Sequence, residues 1–286
     1  MTALVFDCDG VLADTERYGH LPAFNATFEQ HGLPVRWSED DYAELLTIGG
    51  GKERMATLFR DPEIVRAAGL PEQADEQAQL LAQWHRSKTA HFTALVQDGK
   101  IPPRPGISRV ISAALGAGWT VAVASTSAEE SVRAVLAHAV GPDVATGIPV
   151  FAGDVVPAKK PDPAVYELAV RTLGLDKQDT LVVEDSRNGL LAATGAGLAC
   201  LVTVNGYTEQ ERFDEAVLVV SELGDPGRPP VRVLADRASV SLGTQVELTD
   251  LEACLRGARR PGPPERRPGQ VHEPGEGPEP REGGIA

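Results

Sequence analysis

Residues Leu4 to Gly10 read Leu-Val-Phe-Asp-Cys-Asp-Gly, and no other stretch restricts the fold as much. A short continuous apolar run that ends in turn residues suits a strand covered on both faces, so Thr2–Phe6 is expected inside a parallel sheet. Asp7 and Asp9 then fall at the strand's carboxyl end, the edge at which open α/β sheets bind ligands. Side chains alternate along a strand, so the two acids face the same way while Cys8 turns into the packing. Two carboxylates that close raise one another's pKa unless a cation lies between them. Asp-x-Asp-Gly also occurs in plain turns and calcium loops, but here Val11 and Leu12 stand where calcium ligands would continue.

Three later stretches repeat the pattern of a strand that ends in polar groups. Val121–Ser127 runs from apolar residues into hydroxyls just ahead of a helical run, Glu129–Ala139, which places Ser125 and free backbone N–H groups near a helix N-terminus. Lys159-Lys160-Pro161-Asp162-Pro163 precedes another helix, with Pro163 at its start and Asp162 as its cap. Leu181-Val182-Val183-Glu184-Asp185-Ser186 is again a strand that ends in acids. Asp7, Ser125, Lys160 and Asp185, in that order, resemble the four motifs of the haloacid dehalogenase superfamily of phosphohydrolases, and the resemblance covers roughly the first 220 residues. Taken alone, Ser125 reads as a helix cap and Lys160 as a solvated lysine; the ordered set favours chemistry.

Bulk properties narrow the partners. The chain has 286 residues, enough for a large core, and a net charge of −14. That charge argues against nucleic acid and anionic membranes, since the Lys and Arg excess needed to neutralise phosphates is missing. The three cysteines, Cys8, Cys200 and Cys254, lack metal or disulfide spacing and read as reduced thiols of a cytoplasmic protein. No leader-like segment precedes Leu4 and no apolar run reaches transmembrane length, so a soluble monomer acting on a small molecule is expected.

In chain order, a helical pattern runs from Asp14 to about His31, with Phe24 and Phe28 on one stripe. Further helices are expected at Glu39–Leu46, Lys52–Phe59 and Pro71–Phe92. Beyond Arg104-Pro105-Gly106, helices and strands alternate as far as Leu198–Val204, with Ala216–Val220 as an edge strand. This predicts an α/β fold: a Rossmann-like, doubly wound parallel sheet with a helical cap inserted after the first strand. The expected division is a core of 1–14 and 96–225, a cap of 15–95, a core extension of 226–256 with a short strand and a helix ending at Cys254-Leu255, and a disordered Gly/Pro-rich tail of 257–286.

The cap should carry specificity. Gly49-Gly50-Gly51-Lys52-Glu53-Arg54 sets a glycine loop before a basic helix start, and it is not a Walker A loop. Asp14–His20, Ala23-Phe24-Asn25, Gly50–Arg54 and His85-Arg86-Ser87-Lys88 resemble the CbbY branch of the superfamily, phosphatases of pentulose bisphosphates, notably xylulose 1,5-bisphosphate. That resemblance implies that Glu16, Gly50, Gly51, Lys52, Glu53 and Lys88 face the sugar, with Lys52 on a second phosphate. For His85 a structural role is equally expected, and Arg54 could be a solvated helix charge. The family implies Asp7 as nucleophile, Asp9 as acid and base, Ser125 and Thr126 on the transferring phosphate, and Lys160 as its counter-charge. It also implies Mg2+ held by Asp7, the Asp9 carbonyl and Asp185, with Glu184 as a ligand or an orienting group. The rivals are a β-phosphoglucomutase-type mutase, a generic small-phosphoester phosphatase and a receiver module. The receiver is disfavoured because its acceptor acid lies on a later strand.

Overall fold

The computed structural model describes residues 1–259. Seven strands form one sheet: β1 (Ala3–Phe6), β2 (Thr120–Ala124), β3 (Val150–Phe151), β4 (Thr180–Glu184), β5 (Ala199–Thr203), β6 (Leu218–Val220) and β7 (Val233–Asp236). They lie in the order β3-β2-β1-β4-β5-β6-β7, with all neighbours parallel except β6 and β7. The strand order reverses direction beside β1, which makes the carboxyl end of β1 the switch point of a doubly wound sheet.

Alternation along β1 divides the interior in two. Leu4 and Phe6 join Leu181 and Val183 on one face, where helices Ile107–Gly116, Glu129–Val140 and Leu248–Ala258 pack. Val5, Ala122 and Val182 point to the other face, under helices Ala164–Leu173 and Arg187–Gly195. Every residue of β1 is fully buried, as a strand covered on both sides requires. Phe6 stands level with Val123 of β2 and Val183 of β4, so three chain segments leave the sheet at one height. That register gathers Asp7, Ser125 and Asp185 before any side chain is considered.

Between β1 and β2 the chain is helical, with its own apolar cluster built on Phe24, Phe28, Trp37, Tyr42, Met55 and Trp84. The expected single helix from Asp14 to His31 is instead a π-helical turn, Glu16–His20, running into an α-helix, Leu21–Gln30. The wider turn puts both Glu16 and His20 on the buried side. The last helix of this segment runs Ala74–Gln97, later than the expected Pro71–Phe92, and a short helix Pro62–Ala68 was not anticipated.

Two expectations near the C-terminus need correction. Leu218–Val220 is an interior strand, because the short strand expected in the extension, β7, pairs antiparallel outside it and forms the edge, with Val233 and Leu234 exposed. The final helix extends through Ala258, past Cys254-Leu255, so Gly257 and Ala258 are helical. The tail expected to be disordered otherwise lies at 260–286, outside the described residues. Among the described residues, no helix is long and apolar enough to cross a membrane.

Candidate active site

The carboxyl edge of β1, β2 and β4 carries a cluster of buried charge. Lys160 reaches it from the loop before Ala164–Leu173, donating from Nζ to Asp7 Oδ1 (2.6 Å), Glu184 Oε1 (2.7 Å) and the Ala124 carbonyl (2.9 Å). Glu184 Oε1 also accepts the Tyr166 hydroxyl at 2.5 Å, so this acid is bonded to both the lysine and the tyrosine. Gly189 packs against the same carboxylate, and a Cβ there would fall 2.0 Å from it. Burial pushes Asp7 above the usual carboxylate range, and Glu184 and Asp9 add to this against the pull of Lys160. Asp185 is raised too, by burial and then by Asp7 and Glu184.

Asp7, Glu184 and Asp185 each bring a carboxylate oxygen within 4.8 Å of the others. Three buried acids with one lysine among them are short of positive charge, and an all-oxygen donor set suits a hard divalent cation. The residues present therefore fit the metal that the sequence implied, with Asp185 steadied by Asn205 Nδ2 at 2.7 Å.

Asp9 sits in a different environment. Its Oδ1 accepts the Thr15 hydroxyl at 2.7 Å and His20 Nε2 at 2.7 Å, and its Oδ2 accepts the Ser127 hydroxyl. Although burial opposes ionisation, the hydrogen bonds from His20, Ser127 and Thr15 hold Asp9 well below the usual carboxylate range. His20 in turn stacks on Phe92 and meets Lys88 Nζ at 2.7 Å through Nδ1. An ammonium facing Nδ1 makes that nitrogen the acceptor, so the ring proton is on Nε2, toward Asp9. Burial pushes Lys88 down to about 8.

Sequence reasoning did not assign Thr15, His20 or Ser127, because their roles exist only once remote segments meet. Ser125 is buried just past the end of β2 with its Oγ accepting the Ser127 N–H at 3.1 Å, and Thr126 and Ser127 after it line the cleft.

The opposite wall comes from the helical segment, and here the expectations divide. Glu16, Gly50, Gly51 and Lys88 all border the cleft. Lys52 does not: its Nζ pairs with Asp154 at 2.6 Å and it lines a neighbouring recess with His85 and Lys159. Glu53 is exposed, its carboxylate folded back against Gly50. Arg54, expected to allow a solvated role, is buried: Nη1 donates to the Tyr42 hydroxyl (2.8 Å) and Nε to the Ile48 carbonyl (3.0 Å), with Glu16 Oε2 at 3.5 Å. Phase along the helix explains the exchange, since Lys52 and Arg54 lie about 200° apart around its axis. Gly50, at φ +100°, starts that helix, and Gly49 passes so near the core that a Cβ would stand 2.8 Å from the Lys160 carbonyl oxygen. Burial, then Lys88 and Lys52, push His85 down to about 4, in keeping with a neutral structural ring.

Comparison with known proteins agrees with this geometry. Residues 1–197 match the haloacid dehalogenase-like hydrolase family. A CBBY-like protein of Arabidopsis thaliana is 48% identical over 229 residues, 79% of this chain and 70% of that protein. The plasmid-borne CbbY protein of Cupriavidus necator is 40% identical over 232 residues, 80% of this chain and 88% of its own length. Among solved structures, a mutant of CbbY from Rhodobacter sphaeroides, in complex with xylulose-(1,5)bisphosphate, aligns with a TM-score of 0.69 and 39% identity, covering 79% of this chain and 97% of that one. The chain thus belongs to the haloacid dehalogenase-like hydrolases, in their CbbY type, and is a phosphatase of that family.

Proposed function

We infer that the enzyme hydrolyses a pentulose bisphosphate, xylulose 1,5-bisphosphate being the best candidate, through a phosphorylated Asp7. The observation that carries this reading is one cleft with cationic groups on both walls: Lys160 beside Asp7 at the sheet edge, and buried Arg54 with Lys88 across from it. A substrate with an anion at each end fits that distribution. The CbbY complex with xylulose-(1,5)bisphosphate supports it from outside.

Asp7 attacks phosphorus in line, while Lys160 and the polar loop Thr126-Ser127 hold the transferring oxygens. Magnesium, held by Asp7, the Asp9 carbonyl and Asp185, would neutralise charge between nucleophile and phosphate. Asp9 gives a proton to the leaving sugar oxygen and later takes one from the water that cleaves the acyl phosphate. Its three donors favour the anion, the form required in the second step. In the first step it must carry a proton, so one donor has to release it as the leaving oxygen arrives. His20 and Lys88 set which donor yields, because Lys88 fixes the proton of His20 on the Asp9 side. Cys8, Cys200 and Cys254 are free and buried, which supports a reducing, cytoplasmic setting.

The test is phosphate release from xylulose 1,5-bisphosphate, pentulose monophosphates and phosphoglycolate, with and without chelator. The expected result is a bisphosphate preference of at least about tenfold in kcat/KM and loss of turnover in chelator that magnesium restores. Equal efficiency on all three esters would refute the bisphosphate reading. Conversion of a hexose 1-phosphate into its 6-phosphate would make the enzyme a mutase.

A further inference from the structure

Arg104, at the point where the chain re-enters the core, is engaged in a way that the catalytic scheme does not explain. All four acceptors of its guanidinium are backbone carbonyls. Nη1 donates to Gly10 O at 2.5 Å and Thr203 O at 3.2 Å, and Nη2 donates to Val204 O at 2.7 Å and Ser221 O at 2.5 Å. One planar fork therefore ties the turn after Asp9 to the ends of β5 and β6. Both anchored segments then touch one atom. Gly10 lies so close to Asp185 that a Cβ on it would stand 2.0 Å from Oδ2, and Asn205, the residue after Val204, donates Nδ2 to that same oxygen at 2.7 Å.

We propose that Arg104 is a positioning residue for the metal corner of the site: by clamping Gly10 and Val204 it fixes the two groups that orient the Asp185 carboxylate. The inference rests on the reading that Asp185 holds the metal. Its physical basis is that Asp185, crowded by Asp7 and Glu184, has every electrostatic reason to swing away when no cation is bound. Gly10 and Asn205 oppose this by contact, and Arg104 opposes it by holding both. Its charge, partly buried among carbonyl dipoles, is also near enough to Asp185 to attract it. A lysine cannot copy the fork, since a single ammonium reaches fewer carbonyls and in no fixed plane.

The experiment is calorimetric titration of the full chain with Mg2+ alone, comparing wild type, Arg104→Lys, Asn205→Ala and Asp185→Ala, together with the magnesium dependence of turnover. Groups that orient a metal ligand normally change metal affinity by about 10–100-fold, so Arg104→Lys and Asn205→Ala are each expected to weaken Mg2+ binding at least about tenfold. Raised magnesium should restore much of the lost turnover. A purely structural arginine would lower the melting temperature and leave the Mg2+ dissociation constant of the folded protein alone. Arg104→Lys that folds and binds Mg2+ within about twofold of wild type overturns the proposal. If Arg104→Lys does not fold, Asn205→Ala decides: unchanged affinity there removes the route from Arg104 to Asp185. Asp185→Ala separates the two readings. If it binds Mg2+ as wild type does, the metal assignment fails and this inference goes with it; if it abolishes binding, the assignment stands and the other variants judge Arg104 alone.

Discussion

Replacing Lys88 by methionine should make this enzyme more stable and much less active. Lys88 is 6% exposed, its ammonium lies 4.9 and 5.0 Å from the ring centroids of Phe24 and Phe92, and burial pushes its pKa from 10.5 to about 8. Asp9 and Glu16 pull it back up and Arg54 pushes it further down. A folded-state value below the unfolded one means that the folded chain binds fewer protons, so at neutral pH the charge disfavours folding. The interval from 10.5 to about 8 corresponds to roughly 3 kcal/mol. Methionine removes that penalty and gains sulfur–aromatic contact, but loses the cation–π attraction and orphans His20 Nδ1, together about 1–2 kcal/mol. A net gain of about 1–2 kcal/mol remains, or about 2–6 °C in melting temperature for a chain of this size.

The gain has a pH signature. It should be complete below pH 8, shrink as the wild-type lysine loses its proton between about 8 and 10.5, and nearly vanish beyond, because the wild type recovers the withheld stability there. Turnover should fall about 30–150-fold at pH 7, the scale of a charged hydrogen bond lost from a closed site, since His20 no longer holds its proton toward Asp9. Thermal melts of both proteins from pH 6.5 to 10.5, alongside phosphate release, decide the matter. A methionine variant less stable than wild type at pH 7, or a stability difference flat across pH, would show that Lys88 is not held charged against its solvation.

Asp7→Asn should abolish turnover, and labelled substrate should trap phosphoenzyme in Asp9→Asn but not in Asp7→Asn; the reverse pattern would exchange their roles. Arg54→Met should cut kcat/KM for a pentulose bisphosphate about 30–150-fold and leave a small monophosphate almost unaffected, whereas Lys52→Ala, which loses only an exposed pair with Asp154, should change either by less than about threefold. Equal losses on both esters in Arg54→Met would reduce that arginine to a scaffold for Tyr42 and Glu16. Gly189→Ala should lower activity more than about a hundredfold although alanine favours a helix by about 1 kcal/mol, because its Cβ would occupy the space of the Glu184 carboxylate; a stabilised, active variant would refute that contact.

These outcomes track what could be read from the chain and what could not. The sheet and its catalytic edge were legible because each signal is local: an apolar run, then acids or hydroxyls, and a parallel register that brings the ends of β1, β2 and β4 to one height. β7 was legible as a short strand of the extension, but not its place at the sheet edge, since it is largely exposed and its antiparallel pairing with β6 leaves no mark in its own sequence. The cleft's helical wall was legible only as composition. A glycine loop followed by Lys52 and Arg54 announces a cation facing the site, but which one depends on where the helix starts. Once Gly50 fixes that start, the buried stripe Arg54, Met55 and Leu58 turns Arg54 inward and leaves Lys52 to Asp154. The network Lys88–His20–Asp9 lay further from reach still, because its members come from the long helix of the insertion, a π-helical turn and the sheet edge, and none has an unusual neighbour in sequence. Its state depends on burial. Burial beside Phe24 and Phe92 pushes Lys88 down to about 8, while its Nζ meets His20 Nδ1 at 2.7 Å. The proton transfer proposed for Asp9 would therefore depend on groups from the helical insertion, since His20 and Lys88 reach the sheet edge only through its packing against it.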